Sequence, residues 1–92
     1  MLNLEALKTP KPIEWGIDPE CPTVENCYIN GQWVAWLNPR PSYCDRGHWQ
    51  VNVDLPDIDY ADQFPRYYMS KSVAIAETEA FLKWRLWKER TK

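Results

Sequence analysis

Two runs of β-forming residues flank the dipeptide Asn30-Gly31 and predict a β-hairpin. Both central residues of a type I′ turn need a positive φ, which asparagine and glycine tolerate better than other residues. The two-residue turn therefore joins a strand over about 24–29 to a strand over about 32–38. A loop is expected to follow over 39–47, because its two prolines and its glycine exclude both a strand ladder and a helix.

A third strand is predicted over 48–54, where polar and apolar residues alternate at every position. This period of two is typical of a half-buried strand in an antiparallel sheet. The apolar residues on one side are Trp49, Val51 and Val53, and the polar residues on the other are His48, Gln50, Asn52 and Asp54. A short last strand is expected within 64–69, and Pro65 places it at an edge of the sheet.

The segment 70–90 contains neither glycine nor proline, which predicts a long C-terminal helix with Ser70 or Ser72 as its N-cap. An advance of 100° per residue gives this helix two apolar stripes. The first consists of Val73, Ala76, Ala80, Trp84 and Trp87, and the second of Ile75, Leu82 and Leu86. We expect the first stripe on the sheet and the second on the N-terminal segment, another copy of the chain or a partner.

Prolines dominate the N-terminal segment and predict an irregular arm over 1–23. Within it, 3–8 can form a short helical turn capped by Asn3, and apolar residues such as Leu7 and Trp15 should hold the arm against the body. The whole chain is therefore predicted to be one α+β domain over 1–92. Its parts are the arm over 1–23, an antiparallel sheet of three to four strands over 24–69 and the C-terminal helix over 70–90.

The composition supports one globular domain and excludes several function classes. The 92 residues are 45% hydrophobic and 26% charged, which is not the composition of a disordered chain. Six tryptophans, five tyrosines and two phenylalanines exceed what a small core needs and indicate a binding surface. No apolar run approaches the roughly 20 residues of a membrane span. The N-terminus does not resemble a signal peptide, so we expect a cytoplasmic protein with reduced thiols.

The thiols and the single histidine are the candidate metal ligands or nucleophiles. Cys21, Cys27, Cys44 and His48 follow the spacing C-x5-C-x16-C-x3-H, which lacks the close first pair of most zinc sites. A nucleophile at Cys44 beside Asp45 and His48 would have no glycine-rich oxyanion site nearby. The three glycines are isolated, which excludes a phosphate-binding loop. We therefore expect no metal, no cofactor, no small-molecule substrate and no enzymatic activity.

Charge is distributed unevenly along the chain. Residues 1–66 contain ten acidic and five basic side chains, a net charge of −5, whereas residues 67–92 contain three acidic and six basic, a net charge of +3. A pI near 5.3 disfavours binding to free duplex DNA. An acidic surface suits a basic partner, such as the DNA-handling groove of another protein.

The order of three strands and a helix resembles the AP2-type DNA-binding domain, which reads DNA with its sheet. The strand arginines of that family are missing, and the third strand offers His48, Gln50 and Asn52 in their place. A sheet-based nucleic-acid-binding module of this three-strand-plus-helix kind is therefore the alternative hypothesis.

The acidic segment Asp54-Leu55-Pro56-Asp57-Ile58-Asp59-Tyr60-Ala61-Asp62, together with the element order, also resembles small phage-encoded anti-CRISPR proteins that inhibit type I surveillance complexes. This resemblance implies a non-enzymatic inhibitor that docks on Cas proteins and guide RNA and blocks binding of target DNA. It implies that four aspartates meet lysines of the complex and that three arginines contact RNA phosphates. These residues are Asp54, Asp57, Asp59 and Asp62, and Arg40, Arg46 and Arg66.

Overall fold

A computed structural model describes residues 4–40, 47–55 and 65–88 and shows a five-stranded antiparallel sheet with a long helix on one face. The strands neighbour one another in chain order, so the sheet is a meander. The predicted α+β class is confirmed. The elements are α1 (Leu4–Leu7), β1 (Ile13–Ile17), β2 (Glu25–Ile29), β3 (Gln32–Pro39), β4 (Trp49–Val53), β5 (Arg66–Tyr68) and α2 (Lys71–Trp87).

The predicted hairpin joins β2 and β3. Asn30 and Gly31 have φ values of 51° and 74°, as a type I′ turn requires. Moving away from the turn, Tyr28 pairs with Trp33. Cys27, which precedes Tyr28 in β2, then pairs with Ala35 and not with Val34. Val34 is thus an extra residue in β3, a β-bulge that reverses the alternation of side chains along the strand.

The prediction of an irregular arm over 1–23 was wrong for Ile13–Ile17. These residues form the edge strand β1, which pairs with β2 and raises the number of strands from the expected three or four to five. Pro12 and Pro19 lie just outside the strand, where they interrupt no ladder bond. The arm does pack against the body, because Leu7 is completely buried and Trp15 contacts the core.

The prediction that the first stripe of the C-terminal helix forms the core face was wrong for Val73, Ala76 and Trp84, which are exposed, whereas its last member, Trp87, packs against the core. The helix buries Ala74, Thr78, Phe81 and Leu82, and the second stripe of Ile75, Leu82 and Leu86 packs against the core. Two members of the first stripe, Val73 and Trp84, are 47% and 50% exposed.

The ends of α2 are fixed by local contacts. The Ser70 hydroxyl accepts a hydrogen bond from the Val73 N–H, which selects Ser70 over Ser72 as the N-cap. Lys88 closes the helix in the left-handed conformation, and its N–H bonds back to the Trp84 carbonyl. No helix of the described residues is long and apolar enough to cross a bilayer.

The N-terminal segment is joined to α2 by two indole hydrogen bonds. The Trp15 Nε1–H donates to the Glu79 carboxylate at 2.8 Å, and the Trp87 Nε1–H donates to the Leu7 carbonyl at 2.7 Å. Both bonds are partly buried, where an unpaired polar group is costly. They place α1 and β1 beside the second half of the helix.

Truncation of one residue from each helix stripe tests which stripe lies in the core. Leu82→Ala should lower the free energy of unfolding by about 2–5 kcal/mol, because it leaves a cavity in the core. Val73→Ala, at an exposed position of the same helix, should change it by at most about 0.5 kcal/mol. Urea denaturation of both variants measures the difference, and equal losses would contradict the orientation of α2.

Candidate functional site

The face of the sheet opposite to α2 carries four aromatic rings. Tyr28 pairs with Trp33 across the hairpin, and Tyr67 pairs with Gln50 on the same side. Trp33 is 45% exposed and the other rings are half-buried. We call this surface the aromatic face and define it by Tyr28, Trp33, Trp36 and Tyr67.

The bulge at Val34 brings the two tryptophans of the aromatic face together. In a regular strand, residues three positions apart point to opposite faces. The extra residue returns Trp36 to the side of Trp33, and their ring centroids lie 4.9 Å apart at an interplanar angle of 37°. This tilted contact holds the exposed Trp33 ring in place.

Amide side chains lie on the same face as the rings. The register pairs Asn26 with Trp36, Trp36 with Asn52, and Asn38 with Gln50. Amides provide both donors and acceptors without a net charge. Rings combined with adaptable polar groups are typical of surfaces that bind macromolecules.

Arg40, a predicted site residue, lies on the aromatic face. Its guanidinium carbon lies 4.2 Å from the Tyr67 ring centroid, and its Nη1 donates to the Gly47 carbonyl at 3.2 Å. Gly47 has a φ of 139°, and a Cβ there would lie 2.7 Å from the Tyr68 backbone, so only glycine fits. The carbonyl of Gly47 is the hydrogen-bond acceptor that orients Arg40.

Among the other predicted site residues that the structure describes, His48 adjoins Arg40 through the backbone, and Arg66 lies on the opposite side of the sheet. Arg66 lies on the helix side of β5, with its guanidinium carbon 5.1 Å from the Phe81 ring centroid. His48 is half-buried, and its carbonyl accepts a hydrogen bond from the Arg40 N–H. Asp54 is exposed just after β4. The remaining predicted residues, Arg46, Asp57, Asp59 and Asp62, lie outside the described residues.

The thiols show different environments. Cys21 is exposed between β1 and β2, whereas Cys27 is completely buried on the helix side of the sheet. Burial, with a smaller contribution from the nearby Glu79 carboxylate, raises the pKa of Cys27 to about 12. No group of three or more potential metal ligands converges within the described residues, and Cys44 and Asp45 lie outside them.

A shallow cavity of about 280 Å³ adjoins the aromatic face. It lies between the β1–β2 connection and the Tyr28–Trp33 pair. Hydrogen bonds from the Asn26 side chain and from the Glu20 N–H lower the pKa of Asp18 below its ordinary value. The lining residues are Asp18, Pro19, Glu20, Asn26, Tyr28 and Trp33.

The sequence predictions missed both the aromatic face and the cavity. One signal was available, because a two-residue turn at Asn30-Gly31 pairs Tyr28 with Trp33. The bulge that adds Trp36 has no comparable local signature.

Comparisons of this chain with protein-family models, curated proteins and solved structures find no match.

Thiol labelling tests the assignment of Cys27 to the core. In the native protein, iodoacetamide should alkylate Cys21 at least about 100-fold faster than Cys27, because a buried thiol with a raised pKa forms almost no thiolate at pH 8. Peptide mass spectrometry at successive times measures both rates, and denatured protein provides the control in which the rates should converge. Rapid native labelling of Cys27 would show that it is accessible and reactive.

Proposed function

We propose that this protein acts by binding and not by catalysis, and that it docks through the aromatic face on a protein or ribonucleoprotein partner with a basic surface. The observation that carries the proposal is the exposed Trp33 ring, supported by Trp36 and paired with Tyr28. Tryptophan and tyrosine are enriched among the residues that dominate binding energy at interfaces.

The charge around the aromatic face favours a basic partner. Glu14 pairs with Tyr28 in the sheet register, and Asp18 and Glu20 line the adjoining cavity. These carboxylates belong to the part of the chain, residues 1–66, that has a net charge of −5. Opposite potentials speed encounter with a basic surface and disfavour an acidic one.

A type I CRISPR surveillance complex is a partner of this kind, and the resemblance to anti-CRISPR proteins selects it for testing. On this proposal the protein is a phage inhibitor that acts in the host cytoplasm. It covers a lysine-rich surface of Cas proteins and guide RNA, and this contact blocks binding of target DNA. The exposed position of Asp54 at the start of the acidic segment supports this proposal.

One observation favours the alternative, a sheet-based nucleic-acid-binding module. Arg40 stacked on Tyr67, near the Trp33–Trp36 pair, is a combination that can hold single-stranded bases by stacking. The acidic charge of residues 1–66 opposes it, because phosphate groups would be repelled.

Two tryptophans of similar exposure on opposite sides of the molecule test the docking face. Trp33→Ala should weaken binding to a purified type I surveillance complex roughly tenfold or more, because an exposed aromatic anchor is lost. Trp84→Ala, which removes an equally exposed ring from α2, should leave the affinity within about twofold. Biolayer interferometry measures both affinities. Equal effects would contradict docking through the aromatic face, and absence of wild-type binding to every type I complex would remove that partner.

Charge reversal separates the two hypotheses. Replacing two of the four aspartates of the acidic segment, Asp57→Lys and Asp59→Lys, should abolish binding to a basic protein groove and should strengthen binding to free DNA. A gel shift with single-stranded and duplex DNA, over a salt series, is run beside the surveillance-complex assay. DNA binding that becomes tighter on reversal and falls steeply with salt would support the nucleic-acid module instead.

A further inference from the structure

We infer that the cavity beside the aromatic face receives the guanidinium group of an arginine from the basic partner. The inference rests on the proposed docking face and makes it more specific, because it assigns one side-chain chemistry to one site. Four features of the described residues support it: two carboxylates, two aromatic rings, a buried acceptor and the size of the cavity.

Asp18 is held in position by its own hydrogen bonds. Its Oδ1 accepts from the backbone N–H groups of Glu20 and Cys21 at 2.8 and 3.2 Å, and its Oδ2 accepts from the Asn26 Nδ2 at 2.9 Å. The Asp18 N–H bonds to the Val24 carbonyl at 2.9 Å, which closes the connection between β1 and β2. The carboxylate is therefore preorganised at the cavity wall.

The two carboxylates of the cavity are available for a cation. The ion pairs described for this chain join Lys8 to Glu5 and Lys71 to Glu25, and neither involves Asp18 or Glu20. Glu20 is exposed, so its side chain can turn toward a bound group. An anionic ligand would meet repulsion at this wall.

The Tyr28 and Trp33 rings form the other wall. A cation over an aromatic face is attracted by the ring quadrupole, most strongly over tryptophan. Trp33 is held by its contact with Trp36, so its face is oriented before a partner arrives. The lining of the cavity therefore combines two carboxylates with two aromatic side chains.

Asn26 provides a second, independent observation at the cavity. Only 4% of this residue is exposed, and its Oδ1 is buried without a hydrogen-bond partner. Its Nδ2 already donates to the Asp18 carboxylate and to the Tyr28 hydroxyl, which places the amide among the cavity-lining groups. Buried polar atoms without a partner are rare in native proteins, and each calls for an explanation. A small shift on binding would let this oxygen accept from a donor-rich group.

Arginine fits these features better than lysine. Its guanidinium is planar, so it can lie on a ring and at the same time donate in its plane to carboxylate and amide oxygens. An ammonium group is a compact charge with stronger hydration and cannot use the ring and two acceptors in this way. A volume of about 280 Å³ admits one such side chain.

The test is an NMR titration of the full chain with blocked Gly-Arg-Gly, Gly-Lys-Gly and Gly-citrulline-Gly peptides. The arginine peptide should give saturable shifts at the Asn26 side-chain NH2 and the Trp33 indole N–H. The lysine peptide should bind at least about threefold more weakly, and the uncharged citrulline peptide should give no saturable shifts.

Matched variants decide whether the cavity is the binding site. Glu20→Gln should weaken arginine binding at least about threefold, and Asp18→Asn roughly tenfold, whereas Glu77→Gln on the exposed side of α2 should have no effect. If Asp18→Asn unfolds the β1–β2 connection, Glu20→Gln and Trp33→Ala decide the question. Equal losses in Glu20→Gln and Glu77→Gln, or equal shifts with citrulline, would overturn the inference.

The outcomes also separate this inference from the proposed function. Partner binding that is lost in Trp33→Ala but unchanged in Glu20→Gln and Asp18→Asn would leave the docking face standing and remove the arginine site. If none of these variants loses partner binding, both the docking face and the arginine site are ruled out.

Discussion

The β-bulge at Val34 is the constraint on which the aromatic face depends. It adds one residue to β3 between the pairs Tyr28–Trp33 and Cys27–Ala35. With regular alternation, Trp33 and Trp36 would lie on opposite faces of the sheet, and one indole would have to enter the core. The extra residue keeps small and aliphatic residues on the helix side and gathers the large rings on the other side. The Val34 carbonyl accepts the Asp54 N–H, so the bulge is also bonded to the chain after β4.

The rest of the fold supports this division between two faces. One face, which includes Cys27, Leu37 and Val53, is buried beneath α2, and the indoles of Trp15 and Trp87 bond to Glu79 and Leu7. The other face carries the aromatic rings and the amides, and Trp33 is its most exposed ring. A rigid sheet that presents preoriented rings would lose little conformational entropy in the docking that we propose.

The predictions from sequence succeeded where a local signal determines the structure. The Asn30-Gly31 turn, the alternation over 48–54 and the glycine-free segment after Ser70 each depend on few neighbouring residues. The predictions were wrong where tertiary packing determines the structure. The prolines around Ile13–Ile17 concealed an edge strand, because such a strand tolerates proline at its boundaries.

The predicted orientation of α2 was wrong for a related reason. The periodicity counted tryptophan and valine as apolar, although Trp84 and Val73 are exposed in the structure. The buried residues of the helix include Ala74 and Thr78, which are small. The bulge could not be predicted either, because register depends on pairing with both neighbouring strands. Of the predicted site residues, Arg40 lies on the aromatic face. The docking role of the acidic segment after Leu55 stays a prediction.

The most direct test of the account is a set of NOE contacts from the Trp33 indole in the free protein. We expect strong contacts from the Trp33 ring to the rings of Trp36 and Tyr28. Contacts from Trp33 to Phe81 or Leu82 of α2 would instead place that indole in the core. Such contacts would show that β3 has regular alternation and that the aromatic face does not exist.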